Sequence, residues 1–195
     1  MRKAALPLII LAGMLVGCST HQVPMTYNPA SVTGKPMATT PDVELLGVTD
    51  SRKYTGTHLG AIRGGYGNAL KTLEAPRPVA EVVRQAFADG LAARGLLSQA
   101  NAGRYGLDVT VEKLDCSQLV RREAHARFRV SVLDKTSGRP VLAKTFEDNR
   151  TDEGTLAGGI FGSVEVLGKM ANDSMQAAID RALDDPTFLT VIGAR

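Results

Sequence analysis

The sequence predicts an α+β fold, a two-layer sandwich in which an antiparallel sheet packs two helices on one face. Two patterns carry that expectation. Leu107 to Val111 and Ala124 to Val132 alternate apolar and polar residues with the period of half-buried strands. Two other stretches, beginning near Val79 and Val164, repeat apolar residues at the spacing of amphipathic helices. A helix with one apolar stripe and a strand with one apolar face bury each other most simply in two layers.

The elements follow in the order strand, helix, three strands, helix. Asp42 to Val48 is the first strand and runs into Asp50-Ser51-Arg52. Short strands are expected near Leu59 to Arg63 and, as an edge segment, within Asn68 to Ala75, around a Gly-rich stretch from Gly60 to Gly67. Pro78 suits the start of a helix, where a missing N–H costs nothing, and Gly95 stops it. Between them Val79, Val82, Val83, Ala86, Phe87 and Leu91 form the apolar stripe. Leu107 to Leu114 and Ala124 to Val132 are the next strands. The turn residues Asp134 to Arg139 then lead to a hairpin partner, Val141 to Phe146. Leu167, Ala171, Ser174, Met175, Ala178 and Leu183 mark the last long helix, which Asp184-Asp185-Pro186 ends; Phe188 to Ile192 adds a final turn.

The N-terminus reads as an export signal. Met1-Arg2-Lys3 is a short basic segment, and an uncharged run from Ala4 to Val16 follows it. That run is shorter than the roughly 20 residues needed to span a bilayer. Leu15-Val16-Gly17-Cys18 resembles a bacterial lipobox, which implies cleavage before Cys18 and acylation of that cysteine. Two or three acyl chains on one residue anchor a protein durably, whereas one holds only marginally. Ser19 in the next position points to the outer membrane, with the domain facing the periplasm. Residues 1–17 are thus the expected signal peptide. Residues 18–41, with Pro24, Pro29, Pro36 and Pro41, are the expected lipidated cysteine and disordered tether, and residues 42–195 the single domain.

Removing Arg2 and Lys3 leaves 21 bases against 20 acids, so the charge balance gives no reason to expect nucleic-acid binding. With Cys18 acylated, Cys116 has no partner for an intramolecular disulfide, and a buried inert thiol is the expected state.

Beyond the lipobox, the chain is similar to the YajG-like lipoproteins. The similarity rests on the strand Val43 to Arg52, the helix Val79 to Gly95 with its ending Ala88, Leu91, Arg94, Gly95, the strand Leu107 to Leu114 and the placement of the last helix. It implies an outer-membrane lipoprotein without a defined activity.

No cofactor, metal or catalytic constellation is expected. His21, His58 and His125 lack a second ligand at metal-binding spacing, and Gly162 to Lys169 departs from a phosphate-binding loop because Met170 follows the lysine. Three groups remain as candidates. Asp50 and Arg52 form a ligand-gripping pair or a turn fixed by an ion pair. Arg121, His125, Arg127 and Arg129 share strand parity, interrupted by Glu123, either as a basic stripe for anionic lipid headgroups, lipopolysaccharide phosphates or an acidic partner, or as an ordinary solvated face. Gly154, Gly158 and Gly162, with Phe161, suit a close-packing seam or a loop. The function expected is non-enzymatic: an accessory component that binds an envelope protein or itself through Gly154, Gly158, Phe161, Gly162, Arg127 and Arg129, with the membrane held through Cys18. The alternative is a small-molecule or glycan binder with a pocket near Asp50, Arg52 and the Gly60 to Gly67 loop.

Overall fold

The computed structural model describes residues 19–32, 42–152 and 162–193. Seven strands form one sheet: β1 (Ser19–Gln22), β2 (Val43–Asp50), β3 (His58–Arg63), β4 (Ala69–Glu74), β5 (Tyr105–Gln118), β6 (Arg122–Asp134) and β7 (Arg139–Asp152). Helices α1 (Val79–Ala93) and α2 (Val164–Leu183) and the short α3 (Pro186–Val191) complete the α+β fold, with a 3₁₀ turn at Pro29–Ser31.

The strand order is β1-β4-β3-β5-β6-β7, with β2 also paired to β5. The long meander β5–β6–β7 is antiparallel, as expected. The sheet as a whole is mixed, because β2 and β3 run parallel to β5 and β1 runs parallel to β4. Alternation of side chains reports which face is buried and carries no information on strand direction. The parallel β2–β5 pair follows from the crossover through α1.

Ala124, Ala126, Phe128, Val130 and Val132 of β6 are buried under the helices. Phe87 of α1 meets Phe128 edge to face, with ring centroids 5.7 Å apart. Leu167, Ala171, Met175 and Ala178 of α2 bury the stripe that the spacing predicts. In β5 a bulge at Glu112 switches the buried parity, so Leu107, Val109 and Val111 are followed by Leu114 and Cys116.

Residues 19–32 correct the expectation of a disordered tether. β1 adds a strand to the outer edge of β4, pairing Ser19 with Lys71 and Gln22 with Glu74. Beyond it, Val23, Met25 and Tyr27 are buried while Pro24 and Thr26 between them face out. This segment lies along α2, where Asn172 Oδ1 accepts from the Thr26 amide at 2.7 Å. Gly168 seats it, since a Cβ there would lie 2.7 Å from Val23; a Cβ on Gly90 would lie 2.8 Å from Leu183 of α2.

Arg94, at the end of α1, is 1 % exposed and joins three separate parts of the chain. Its Nε and Nη2 donate to Asp184 at 2.6 and 2.8 Å, Nη2 also donates to Asp180 at 3.0 Å, and Nη1 donates to Tyr27 Oη at 2.9 Å. Tyr27 in turn donates to Asp180 at 2.5 Å. Burial, and next the bond to Asp180, push the Tyr27 phenol up to about 12. Arg94→Ala is expected to cost about 3 kcal/mol, the low end for a broken buried pair, since its aspartates keep partial access to water. Tyr27→Phe is expected to cost about 1 kcal/mol. Urea denaturation checks both, and unchanged midpoints would remove the N-terminal segment from the folded unit.

Candidate functional site

The face of the sheet turned away from the helices is polar. Along β6, Glu123, His125, Arg127 and Arg129 share it, as the parity predicts, but carboxylates balance most of the basic groups. Arg127 pairs with Glu147 of β7 at 2.6 Å, Arg121 with Glu123 at 2.6 Å, and His125 bonds Asp115 of β5 at 2.9 Å. Arg129 has no ion-pair partner among the described residues. Of the glycine seam, Gly154, Gly158 and Phe161 lie outside the described residues. Gly162 packs against Gln118, 2.8 Å from where its Cβ would stand, and its carbonyl accepts from Lys71 Nζ. Cys18 also lies outside the described residues.

Asp50 and Arg52 come together, though not as a ligand grip. The outer edge of β5 is served by two strands in tandem. β2 pairs with Tyr105 to Val111 and β3 with Cys116 to Gln118. Between them the edge has no strand, and the Arg52 guanidinium fills the gap. Nη1 donates to Leu114 O at 2.8 Å and to His58 O at 2.7 Å. Nη2 donates to Gly56 O at 3.2 Å, while Nε and Nη2 grip both Asp50 oxygens at 2.8 Å. All five N–H groups of the side chain are committed, so none is left for a ligand. Burial raises the Asp50 carboxyl, but the bonds from Arg52 outweigh it and hold the group below its usual value.

The clip forms the floor of a groove of about 480 Å³. Lys53, Tyr54, His58, Arg63, Lys113 and His125 are among the residues that line it. Tyr54 meets His58 edge-on at 5.4 Å, and Lys53 lies over the Tyr54 ring at 5.3 Å. Lys53 and Arg63 have no carboxylate partner among the described residues, whereas Lys113 approaches Asp115 at 4.0 Å. Residues Lys53, Tyr54 and His58 were not singled out in the sequence as binding residues. Their only signal there is proximity to the Asp50–Arg52 pair. Cys116 borders the groove from below, and burial, with the nearby Asp115 charge adding to it, pushes its thiol up to about 12. It is therefore a poor nucleophile, the inert buried state expected of it.

Among the described residues no group of histidine, cysteine and carboxylate side chains is arranged to hold a metal, and no helix is long and apolar enough to cross a membrane.

A family model described as "Uncharacterized lipoprotein" matches residues 38–192. The chain belongs to this lipoprotein family. The XCC0632 protein of Xanthomonas campestris, assigned to DUF330, shares the fold, with a TM-score of 0.59 at 12% identity over 90% of this chain and 96% of that one. PelC of Paraburkholderia phytofirmans, crystallised as a dodecamer, aligns with a TM-score of 0.45 at 16% identity, covering 84% of this chain and 95% of that one. Lipoprotein GNA1162 of Neisseria meningitidis aligns more distantly, at 0.31 and 11% identity, over 68% of this chain and 99% of that one. No curated protein matches the sequence. Family membership makes this a lipoprotein; the Xanthomonas structure speaks to the fold alone.

The clip makes a pH-dependent contribution whose sign is determined. The folded-state value of Asp50 lies below the unfolded one, so its stabilisation is fully present above about pH 4 and is lost as pH falls through the lower folded value. Asp50→Asn is expected to be less stable than the wild type at pH 7, with the difference shrinking in acid. Denaturation midpoints across that range check this, and a constant difference would separate the clip from the acid response.

Proposed function

We propose that this chain is an outer-membrane lipoprotein, anchored through acyl groups on Cys18, whose periplasmic domain binds an acidic segment of an envelope partner without catalysing a reaction. The lipoprotein family supports the anchor, as do Leu15-Val16-Gly17-Cys18 and the uncharged run before them. Ser19 and the helix ending Ala88, Leu91, Arg94, Gly95 support placing it near the YajG-like outer-membrane lipoproteins.

The observation that carries the binding reading is the groove beside β5. It opens on the face the helices leave uncovered, and Lys53 and Arg63 stand on its walls without carboxylate partners. Such groups attract an acidic ligand and leave their own charges in water until it arrives. Glu147 already meets the charge of Arg127, while Arg129 keeps no ion-pair partner among the described residues, and the groove adds Lys53 and Arg63 to the candidate contact surface. A small anionic or glycan ligand is the second reading. The volume of about 480 Å³ favours it, since small-molecule sites run from about 300 to 1,000 Å³.

Intact protein purified from gently solubilised envelopes tests both parts. Mass spectrometry is expected to find acyl chains on Cys18, absent from Cys18→Ala. A stoichiometric partner is expected to be lost from Lys53→Glu/Arg63→Glu and retained by Arg127→Ala. Retention by the charge-reversed protein would overturn the groove as the protein-binding site. A rise in melting temperature with an anionic metabolite or glycan, abolished by the same reversal, would establish the second reading instead.

A further inference from the structure

Ser19 immediately follows the cysteine at which we place the lipid, and Ser19 is already in the sheet. Successive Cα atoms are about 3.8 Å apart, so the chain offers no spacer between anchor and fold. The end of the sheet at which β1 begins must then lie at the membrane surface.

The registers identify that end. Ser19 pairs with Lys71, and Ala69, two residues earlier in β4, pairs with Arg63. Ile62 pairs with Gln118 at the end of β5, Gln118 with Arg122 at the start of β6, and Arg122 with Asp152 at the end of β7. Two adjacent hairpin loops therefore project there, one joining β3 to β4 and the other joining β5 to β6. The N-terminus of α2 reaches the same end, where Lys71 Nζ bonds the Gly162 carbonyl.

These loops expose apolar side chains to an extent unusual for the molecule. Tyr66 at the tip of the first loop is 102 % exposed, and Leu70 stands at the base of that hairpin. Leu119 and Val120 form the tip of the second loop and are 46 % and 66 % exposed. These four are half of the large exposed apolar residues in the described structure, and Val166, in the first turn of α2, is a fifth. Arg63 and Lys71 flank them without ion-pair partners among the described residues. The nearby carboxylates Glu123 and Asp152 pair with Arg121 and Arg122, at 2.6 and 2.9 Å, and Glu165 in the first turn of α2 lies within the field of Lys71.

We infer that this end is a membrane-docking face, in which Tyr66, Leu70, Leu119 and Val120 enter the interfacial region of the leaflet that holds the anchor. Tyrosine suits that depth because its ring is apolar and its hydroxyl wet. Lys71 reaches lipid phosphates from the rim, its stem following the apolar surface. Acyl chains hold the protein at the bilayer, and the four side chains set its orientation. The sheet then stands with its strands directed away from the membrane. The inference rests on Cys18 acylation, and the experiment separates the two.

The protein contains no tryptophan, so one introduced residue reports on one place. Tyr66→Trp marks the docking face. Ser137→Trp marks the β6–β7 turn, about 40 Å away if the 13 residues of β6 rise roughly 3.3 Å each. Each lipidated variant is reconstituted into phosphatidylethanolamine vesicles containing phosphatidylglycerol, with and without brominated acyl chains. With acylation verified by mass and the vesicles floating with protein, the residue-66 tryptophan is expected to shift to shorter wavelength and be quenched by bromine. The residue-137 tryptophan is expected to do neither. Adding Val120→Asp to Tyr66→Trp is expected to reduce the quenching while flotation persists. An acylated protein that floats with an unshifted, unquenched residue-66 tryptophan overturns the docking face alone, as does equal quenching at both positions. Absence of acyl mass on Cys18 overturns the anchor and the face together.

Discussion

The edge of β5 is the constraint around which the polar side of this molecule is arranged. A strand of 14 residues needs a hydrogen-bonding partner along its whole length on each side, and on one side two short strands must share the work. They do not meet, because the chain leaves β2 after Asp50 and re-enters at His58. A buried carbonyl left open in that interval costs as much as a lost hydrogen bond. Arg52 closes the interval by reaching Leu114 O from the β2 side and His58 O from the β3 side. Lysine has no planar fork and fewer donors, so it cannot bridge two carbonyls while gripping a carboxylate in two-point fashion. The groove above the clip exists because a side chain fills that interval where a strand would otherwise run.

Arg94 solves a related problem on the other side of the sheet. Helices α1 and α2 end near one another, and Gly90 O of α1, Asp180 of α2 and Asp184 just beyond it converge on one buried side chain. A guanidinium at that point satisfies Gly90 O, Asp180, Asp184 and Tyr27 together. Burial works against its charge, and the bonds to Asp184, Tyr27 and Asp180 more than offset that. Both arginines thus act as hydrogen-bond hubs joining segments distant in sequence. Neither is free for binding, which leaves, among the described residues, cations without ion-pair partners such as Lys53 and Arg63 beside the groove and Arg129 on β6.

Much of this arrangement is legible in the residues, and the rest fails for identifiable reasons. The meander and both long helices follow from period and stop signals, because each has one face wholly against the core. Strand direction does not follow, since parallel and antiparallel neighbours bury the same alternation. The N-terminal segment misleads because Pro24 and Pro29 suggest a tether, yet Val23, Met25 and Tyr27 alternate with polar or exposed neighbours over a span short enough to overlook. Gly168 and Gly90 look like weaknesses in helices and in fact make room, the first for Val23 of that segment and the second for Leu183 of α2. The Asp50–Arg52 pair is visible as an ion pair. Its role depends on two carbonyls brought together only by the tandem strands, which no local pattern encodes.

β1 has a mechanical consequence. It runs parallel to β4, and its ladder with that strand begins beside the residue expected to carry the lipid. A pull on the anchor along the strand axis therefore loads the β1–β4 bonds in shear, all at once, instead of peeling them one by one. Behind that ladder the same tension meets Val23 against Gly168 and then Tyr27 held by Arg94 and Asp180. With the lipid on Cys18, as proposed, the join between membrane and domain would be part of the fold, and force arriving from the bilayer would be shared among the sheet and both helices.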